Sequence, residues 1–183
     1  ARNVIYLHSK RRNLVLGIMM ALGFKPWILS SPLHVDLHIG IDVLLDQVAY
    51  TFIYGPGGRD IFHDRGHSGG EELIKTRLLR DKLIAGFKRV HDAGIEINSF
   101  VIHRDGRWWP KETEALEEAV SFLKQESQRI LSSKVRYAVA EIRKSHFPIR
   151  IFSTKYQSGR PAFRNPFPGC YLILDSDRAV LAS

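Results

Sequence analysis

His38-Ile39-Gly40-Ile41-Asp42-Val43-Leu44 is the stretch whose reading decides the fold. Its β-branched and aliphatic residues mark a strand of a sheet interior. Asp42 stands where such a strand would ordinarily carry another aliphatic side chain. An unpaired carboxylate in apolar surroundings is costly, so this one calls for a cation, a hydrogen-bond network or an exposed strand end. Ser99-Phe100-Val101-Ile102-His103-Arg104-Asp105-Gly106 repeats the design, a short apolar run closing on an acid and a glycine. Either Asp alone reads as a strand-end residue that turns the chain. Together, with a helix between them, they make a candidate metal site.

The 183 residues suffice for one domain with a substantial core, since a domain near this size buries about 70% of its unfolded surface. With 44% hydrophobic and 25% charged residues the composition is globular. No apolar run approaches the roughly 18 residues of a membrane span, so no membrane partner is expected. Cys170 is the single cysteine, which excludes an intrachain disulfide and a cysteine-rich zinc site and suits a reducing, cytoplasmic compartment. Lys and Arg number 27 against 19 Asp and Glu, a net charge of +8. Such an excess favours a polyanionic partner, because neutralising phosphates releases counterions. A basic but otherwise ordinary enzyme is the alternative.

Along the chain, Val4 to Leu7 reads as a short strand, and Ser9 caps a helix that ends at Gly23. Leu14, Leu16, Ile18, Met19 and Leu22 cover much of that helix, so burial on more than one side is expected. Lys10, Arg11 and Arg12 occupy its first turn, where the helix dipole disfavours cations; they face phosphate or solvent. A second strand, Ala49 to Tyr54, ends at Gly55-Pro56-Gly57-Gly58, and Asp60 to His63 forms a third. Arg65 to Gly70 lacks a P-loop lysine and reads as a mobile loop. A long helix from about Glu71 to Ala93 has an apolar side and a basic side, the latter carrying Lys75, Arg77, Arg80, Lys82, Lys88 and Arg89.

After the second Asp strand, Pro110 opens a helix reaching about Leu131, with Glu112, Glu114, Glu117 and Glu118 suited to its positive end. Val135 to Ile142 is another strand, and Ile149 to Phe152 is extended. Ser158 to Gly169 reads as a loop, and Tyr171 to Leu174 with Ala179 to Leu181 as a hairpin. The order β-β-β-α-β-α-β, with acids on the first and fourth strands, is the RNase H-like arrangement. It implies an α/β fold, a mixed sheet flanked by helices.

Two-metal phosphodiester cleavage needs carboxylates grouped at neighbouring strand ends, holding ions about 3.5–4 Å apart. Oxygen ligands without cysteine point to two divalent ions, Mg²⁺ or Mn²⁺. Asp42 and Asp105 are the rigid metal ligands in this reading. Glu72 is the third acid, with Glu71 as its competitor, on a segment that Gly69-Gly70 lets swing. Ordinary helix-start capping is the other reading of that Glu pair.

Ile39 to Leu44, Glu71-Glu72-Leu73-Ile74 and His103-Arg104-Asp105-Gly106 together resemble the Piwi domain of Argonaute proteins of prokaryotic type. Asn13 to Leu22-Gly23 with Lys25-Pro26-Trp27-Ile28-Leu29 resembles the segment that joins the Mid domain to Piwi. Arg143-Lys144-Ser145-His146 to Phe152 resembles the basic strand after the second helix. The resemblance implies residues 1–35 as the end of Mid and the connecting segment, and 36–183 as Piwi, truncated before its C-terminal part. It implies a slicer that uses a guide oligonucleotide to cut a complementary target strand, RNA or DNA, leaving a 3′-hydroxyl and a 5′-phosphate. Asp42, Glu72 as the mobile finger, and Asp105 are then the catalytic acids, and the remaining Argonaute domains, Mid among them, are partners.

Two departures qualify that resemblance. The family's fourth ligand lies beyond a hairpin like the last one here, and no residue matches it; His146 falls in the wrong strand. A piece of a longer protein is therefore expected. Gly17 and Ala21 stand where the family places lysines for the guide's 5′-phosphate, for which Lys10, Arg11 or Arg12 could substitute. Arg143, Lys144 and Arg150 are expected on a strand lining the nucleic-acid groove. Trp108-Trp109 could stack on bases or pack at a helix start. His34, His38, His63 and His67 have no metal-binding spacing. Two alternatives remain: a Piwi module that binds without cutting, and a transposase-like core using Glu117, Glu118 or Glu126.

Overall fold

The computed structural model describes residues 11, 13–19, 21, 22, 24, 29–125, 129–144, 153–157, 160–164, 166 and 170–182, with 153–157 and 160–164 described by their backbone. The chain divides into a unit of residues Ala1–Ile142 and a unit of residues Arg143–Ser183.

The first unit is built on a five-stranded sheet of order β3-β2-β1-β4-β5. Its strands are β1 (Leu37–Leu44), β2 (Gln47–Tyr54), β3 (Asp60–His67), β4 (Ile97–Asp105) and β5 (Leu131–Ile142). β1, β2 and β3 form an antiparallel meander, while β4 runs parallel to both β1 and β5. Parallel neighbours need a long crossover. Here α2 (Thr76–Asp92) supplies it between the meander and β4, and α3 (Pro110–Lys124) supplies it between β4 and β5. The order is the RNase H-like one expected from the acids' positions.

Strand alternation gives the sheet two unlike faces. Leu37, Ile39 and Ile41 of β1, Val48, Tyr50 and Phe52 of β2, and Phe100 and Ile102 of β4 are buried. They join Leu79, Leu83, Phe87 and Val90 of α2 and Ala115, Leu116, Ala119 and Leu123 of α3 in one core. Phe87 meets Phe100 edge-on, with centroids 4.9 Å apart. The opposite face carries His38, Gly40 and Asp42 from β1 and His103 from β4.

Several boundaries differ from expectation. β3 continues through Arg65-Gly66-His67, pairing Gln47 with His67, so the loop starts only at Ser68. α2 begins at Thr76, leaving Glu71 and Glu72 outside the helix. α3 ends at Lys124, and β5 already starts at Leu131. The first helix, α1, is helical at residues 13–19, with Leu14, Val15 and Ile18 exposed and not buried as expected. Its apolar periodicity states what needs burial and not what provides it. Val4 to Leu7 and Ile149 to Phe152 lie outside the described residues.

In the second unit β6 (Ser153–Gln157) pairs antiparallel with β7 (Arg160–Arg164), which occupies part of the expected loop. β8 (Tyr171–Ile173) and β9 (Ala179–Leu181) form the expected hairpin.

α2 reaches the sheet through a missing side chain. A Cβ on Gly86 would lie 2.2 Å from the Phe52 ring. In an open helix Gly→Ala gains about 0.5–1 kcal/mol. Here Gly86→Ala is expected to destabilise by about 1–3 kcal/mol through overpacking, read as a lower urea midpoint. A raised midpoint would show that Phe52 can swing aside.

Candidate active site

The parallel register places the two strand acids together. Gly40 faces His103, and Ile41 faces Arg104. Continuing that step by one, Asp42 and Asp105 share the same face at the carboxyl ends of adjacent strands. Asp42 is exposed and Asp105 half-buried. β4 ends at Gly106, whose φ of 98° favours glycine and whose N–H donates to the Ile142 carbonyl at 3.0 Å.

That turn meets Glu72. A Cβ on Gly106 would approach Glu72 Oε1 to 2.9 Å, and the Arg107 N–H donates to the same oxygen at 3.4 Å. The Glu72 carboxylate thus rests on the turn directly after Asp105. Glu71 makes no such hydrogen bond among the described residues. Asp42, Asp105 and Glu72 all stand at this end of the sheet. Among the described residues, however, no three His, Cys, Asp or Glu side chains stand close enough to hold one ion. The donor chemistry fits a hard divalent cation, being oxygen throughout.

Beneath these acids lies a buried ion pair that sequence reasoning missed. Arg104 and Glu112 are both 0% exposed, with Arg104 Nη2 3.6 Å from Glu112 Oε1. Arg104 Nη2 donates to the Glu72 carbonyl at 2.7 Å, and Nη1 donates to the Asp105 carbonyl. Glu112 Oε1 accepts the Ile74 N–H at 3.1 Å, and Oε2 accepts the Trp109 N–H at 3.2 Å. Two backbone groups of residues 72–74 are therefore held by side chains from β4 and α3. This explains why α2 starts later than its composition suggests. The signal was present: Arg104 falls on the core parity of its strand, where a charge must have a buried partner.

Burial pushes the Glu112 carboxyl up, against the opposing pull of the Ile74 and Trp109 N–H groups and Arg104. Burial also raises the Tyr50 hydroxyl, with Asp64 and Glu112 adding to it. Tyr50 Oη and Arg104 Nε are buried without a partner among the described residues. On the opposite face His38 Nδ1 lies 3.4 Å from His103 Nε2. Burial, then His103 and His34, lower the His38 pKa.

The remaining sequence candidates are dispersed. Arg11 is helical and exposed; Lys10, Arg12, Arg150, His146 and Glu126 lie outside the described residues. Arg143 and Lys144 are exposed but follow the end of β5 and do not lie on a strand. The strand stops at Ile142, whose carbonyl is taken by Gly106. Trp108 donates through Nε1 to Thr113 at 2.8 Å, and Arg107 covers the Trp109 ring at 4.2 Å. Both tryptophans pack at the start of α3. Glu118 pairs with Arg80 at 3.4 Å.

No protein-family model matches the chain, and no curated protein matches it. Solved structures do. The crystal structure of A. aeolicus Argonaute matches with a TM-score of 0.50 and 15% identity, over 90% of this chain and 22% of that one. A structure of Aa-Ago with externally bound siRNA matches with a TM-score of 0.50 and 16% identity, over 93% and 22%. This chain has the fold of an Argonaute Piwi-like domain. Marinitoga piezophila Argonaute, in complex with 5′ OH guide RNA and target DNA, gives a TM-score of 0.45 at 20% identity over 66% and 18%. The chain spans about a fifth of the length of the Argonautes it matches. Among the described residues no helix of this Piwi-like fold is long and apolar enough to cross a membrane.

The raised Glu112 pKa has a sign. The unfolded chain releases this proton near the ordinary value of 4.5, while the folded chain holds it to higher pH. The contribution to stability is present below 4.5 and is lost as pH rises through the folded value. Urea unfolding of wild type and Glu112→Gln should show wild type losing ground to the variant as pH rises above 4.5. A level difference would mean that Glu112 ionises normally in the fold.

Proposed function

We propose that this chain is the RNase H-like part of a guide-directed endonuclease. In this reading residues 1–35 form the Mid–Piwi joining segment and 36–183 the Piwi domain. The observation that carries it is that Asp42 and Asp105 stand at the carboxyl ends of adjacent parallel strands, with the Glu72 carboxylate against the turn after Asp105. Enzymes on open α/β sheets work at the carboxyl ends of the strands, as here. The net charge of +8 supports a nucleic-acid partner, namely a guide oligonucleotide and its complementary target.

Asp42 and Asp105 would hold divalent Mg²⁺ or Mn²⁺, and Glu72 would complete the site by moving off the Gly106 turn. Such ions, when bound, activate water and stabilise the leaving oxygen. The chain's own part is to fix the carboxylates: Asp42 and Asp105 by strand register, Glu72 by a loop held at its backbone. Arg11, Arg143 and Lys144 are the described cations proposed to meet phosphates, together with Lys10, Arg12 and Arg150. The remaining Argonaute domains are the proposed protein partners.

A module that binds but does not cut is the second reading. It is favoured by the absence, among the described residues, of a three-acid group within reach of one ion.

The test is cleavage of a labelled, guide-matched strand with Mn²⁺ or Mg²⁺ by the full-length protein. Asp42→Ala or Asp105→Ala should lower the rate by more than about 10³-fold while leaving guide binding intact. Glu72→Ala should do the same, and Glu118→Ala should not. Guide binding without cutting by wild type would select the second reading. Loss on Glu118→Ala with none on Glu72→Ala would select a transposase-like site.

A further inference from the structure

We propose that Glu112 is the positioning residue of this site, a buried carboxylate that fixes where Glu72 stands relative to Asp105. The inference rests on the nuclease reading above, whose acids it positions. Glu112 Oε1 takes the Ile74 N–H, which lies two residues past Glu72 and 38 residues from Glu112 in sequence. The same oxygen faces Arg104 Nη2, whose hydrogen bond holds the Glu72 carbonyl. Arg104 also holds the carbonyl of Asp105. Glu112 Oε2 returns to the Trp109 N–H at the start of α3. One carboxylate thereby ties the Glu72 loop and a helix start directly, and the end of β4 through Arg104.

Capping of α3 alone would require only the Trp109 bond. The second oxygen is directed at another segment. That segment needs restraint, because Gly69 and Gly70 precede it at φ 84° and 85°, a conformation that only glycine adopts readily. Without Glu112 the Ile74 N–H loses its acceptor, and Arg104, which holds the Glu72 carbonyl, has lost the carboxylate that faces it. The hydrogen bonds of Glu112 go to the Ile74 and Trp109 backbone, and its ion pair to Arg104. It acts through Ile74 and Arg104.

The test uses guide-directed cleavage by the full-length protein, with Glu112→Gln and Glu112→Ala beside wild type. Each is assayed below its own melting temperature. Gln keeps the shape and one acceptor oxygen but not the charge, whereas Ala removes all of them. The expected kcat loss is about 10–100-fold for Ala, the scale seen when a group supporting metal ligands is removed, with Gln between. Target KM and guide affinity should stay within about twofold. Amide exchange at Ile74 should accelerate in the Ala variant, while Ile39 and Ile41 keep their protection.

A purely structural Glu112 would lower the melting temperature and leave kcat of the folded protein unchanged, and that result overturns the proposal. So does unchanged exchange at Ile74. Should Glu112→Ala fail to fold, Glu112→Gln carries the kcat comparison alone. A wild-type protein that never cuts defeats the nuclease reading and the positioning role together. A wild type that cuts, with both variants at full kcat, defeats the positioning role only.

Discussion

A guanidinium and a carboxylate without access to solvent constrain everything at the carboxyl end of this sheet. Moving Arg104 and Glu112 out of water costs several kcal/mol per ion, and the upward push on the Glu112 carboxyl is the trace of that cost. Well-packed apolar side chains would be at least as stabilising. What apolar groups cannot do is hold specific backbone atoms. Between them the two side chains hold Glu72 and Asp105 by their carbonyls, and Ile74 and Trp109 by their N–H groups. The pair converts a glycine-led loop, a strand end and a helix start into one junction.

The junction matters because of where the sheet topology puts it. β1 and β4 run parallel and adjacent, so their carboxyl ends meet at the same edge of the fold. The antiparallel meander returns β3 to a segment that passes over that edge before α2 begins. A sheet of order β3-β2-β1-β4-β5 therefore brings three sequence regions together around residues 42, 72 and 105. α2 and α3 pack on one face, and His38, Asp42 and His103 lie on the other.

Much of this was legible in the residues. Asp42 and Asp105 stood out as acids in apolar strands, and the element order along the chain pointed to a mixed sheet. Gly94 and Pro110 marked a helix end and a helix start where the structure has them. The failures share a cause. Arg65-Gly66-His67 reads as loop from its own composition, yet becomes strand because β2 offers a partner along its whole length. Glu71 to Lys75 reads as helix, yet two distant side chains capture its backbone. Glu112 reads as a helix-start acid, and its second oxygen has a task that no local pattern reveals. Local sequence states a preference, and a tertiary hydrogen bond of long range can outbid it.

Charge shows the same limit in another form. By sequence α2 has a basic side, and several of its cations have local engagements. Lys82 binds Asp64 at 2.8 Å, Arg80 reaches Asp81 and Glu118, and Arg77 pairs with Asp81. Arg89 lies over Phe62 and Lys88 over Phe122. Exposed pairs of this kind add about 0–1 kcal/mol each, so they do little for stability. Their larger effect is to cancel the field that the stripe would project. The net charge of +8 is therefore not a measure of the field along this helix. The exposed Arg143 and Lys144 lie next in sequence to Ile142, whose carbonyl bonds the turn after Asp105.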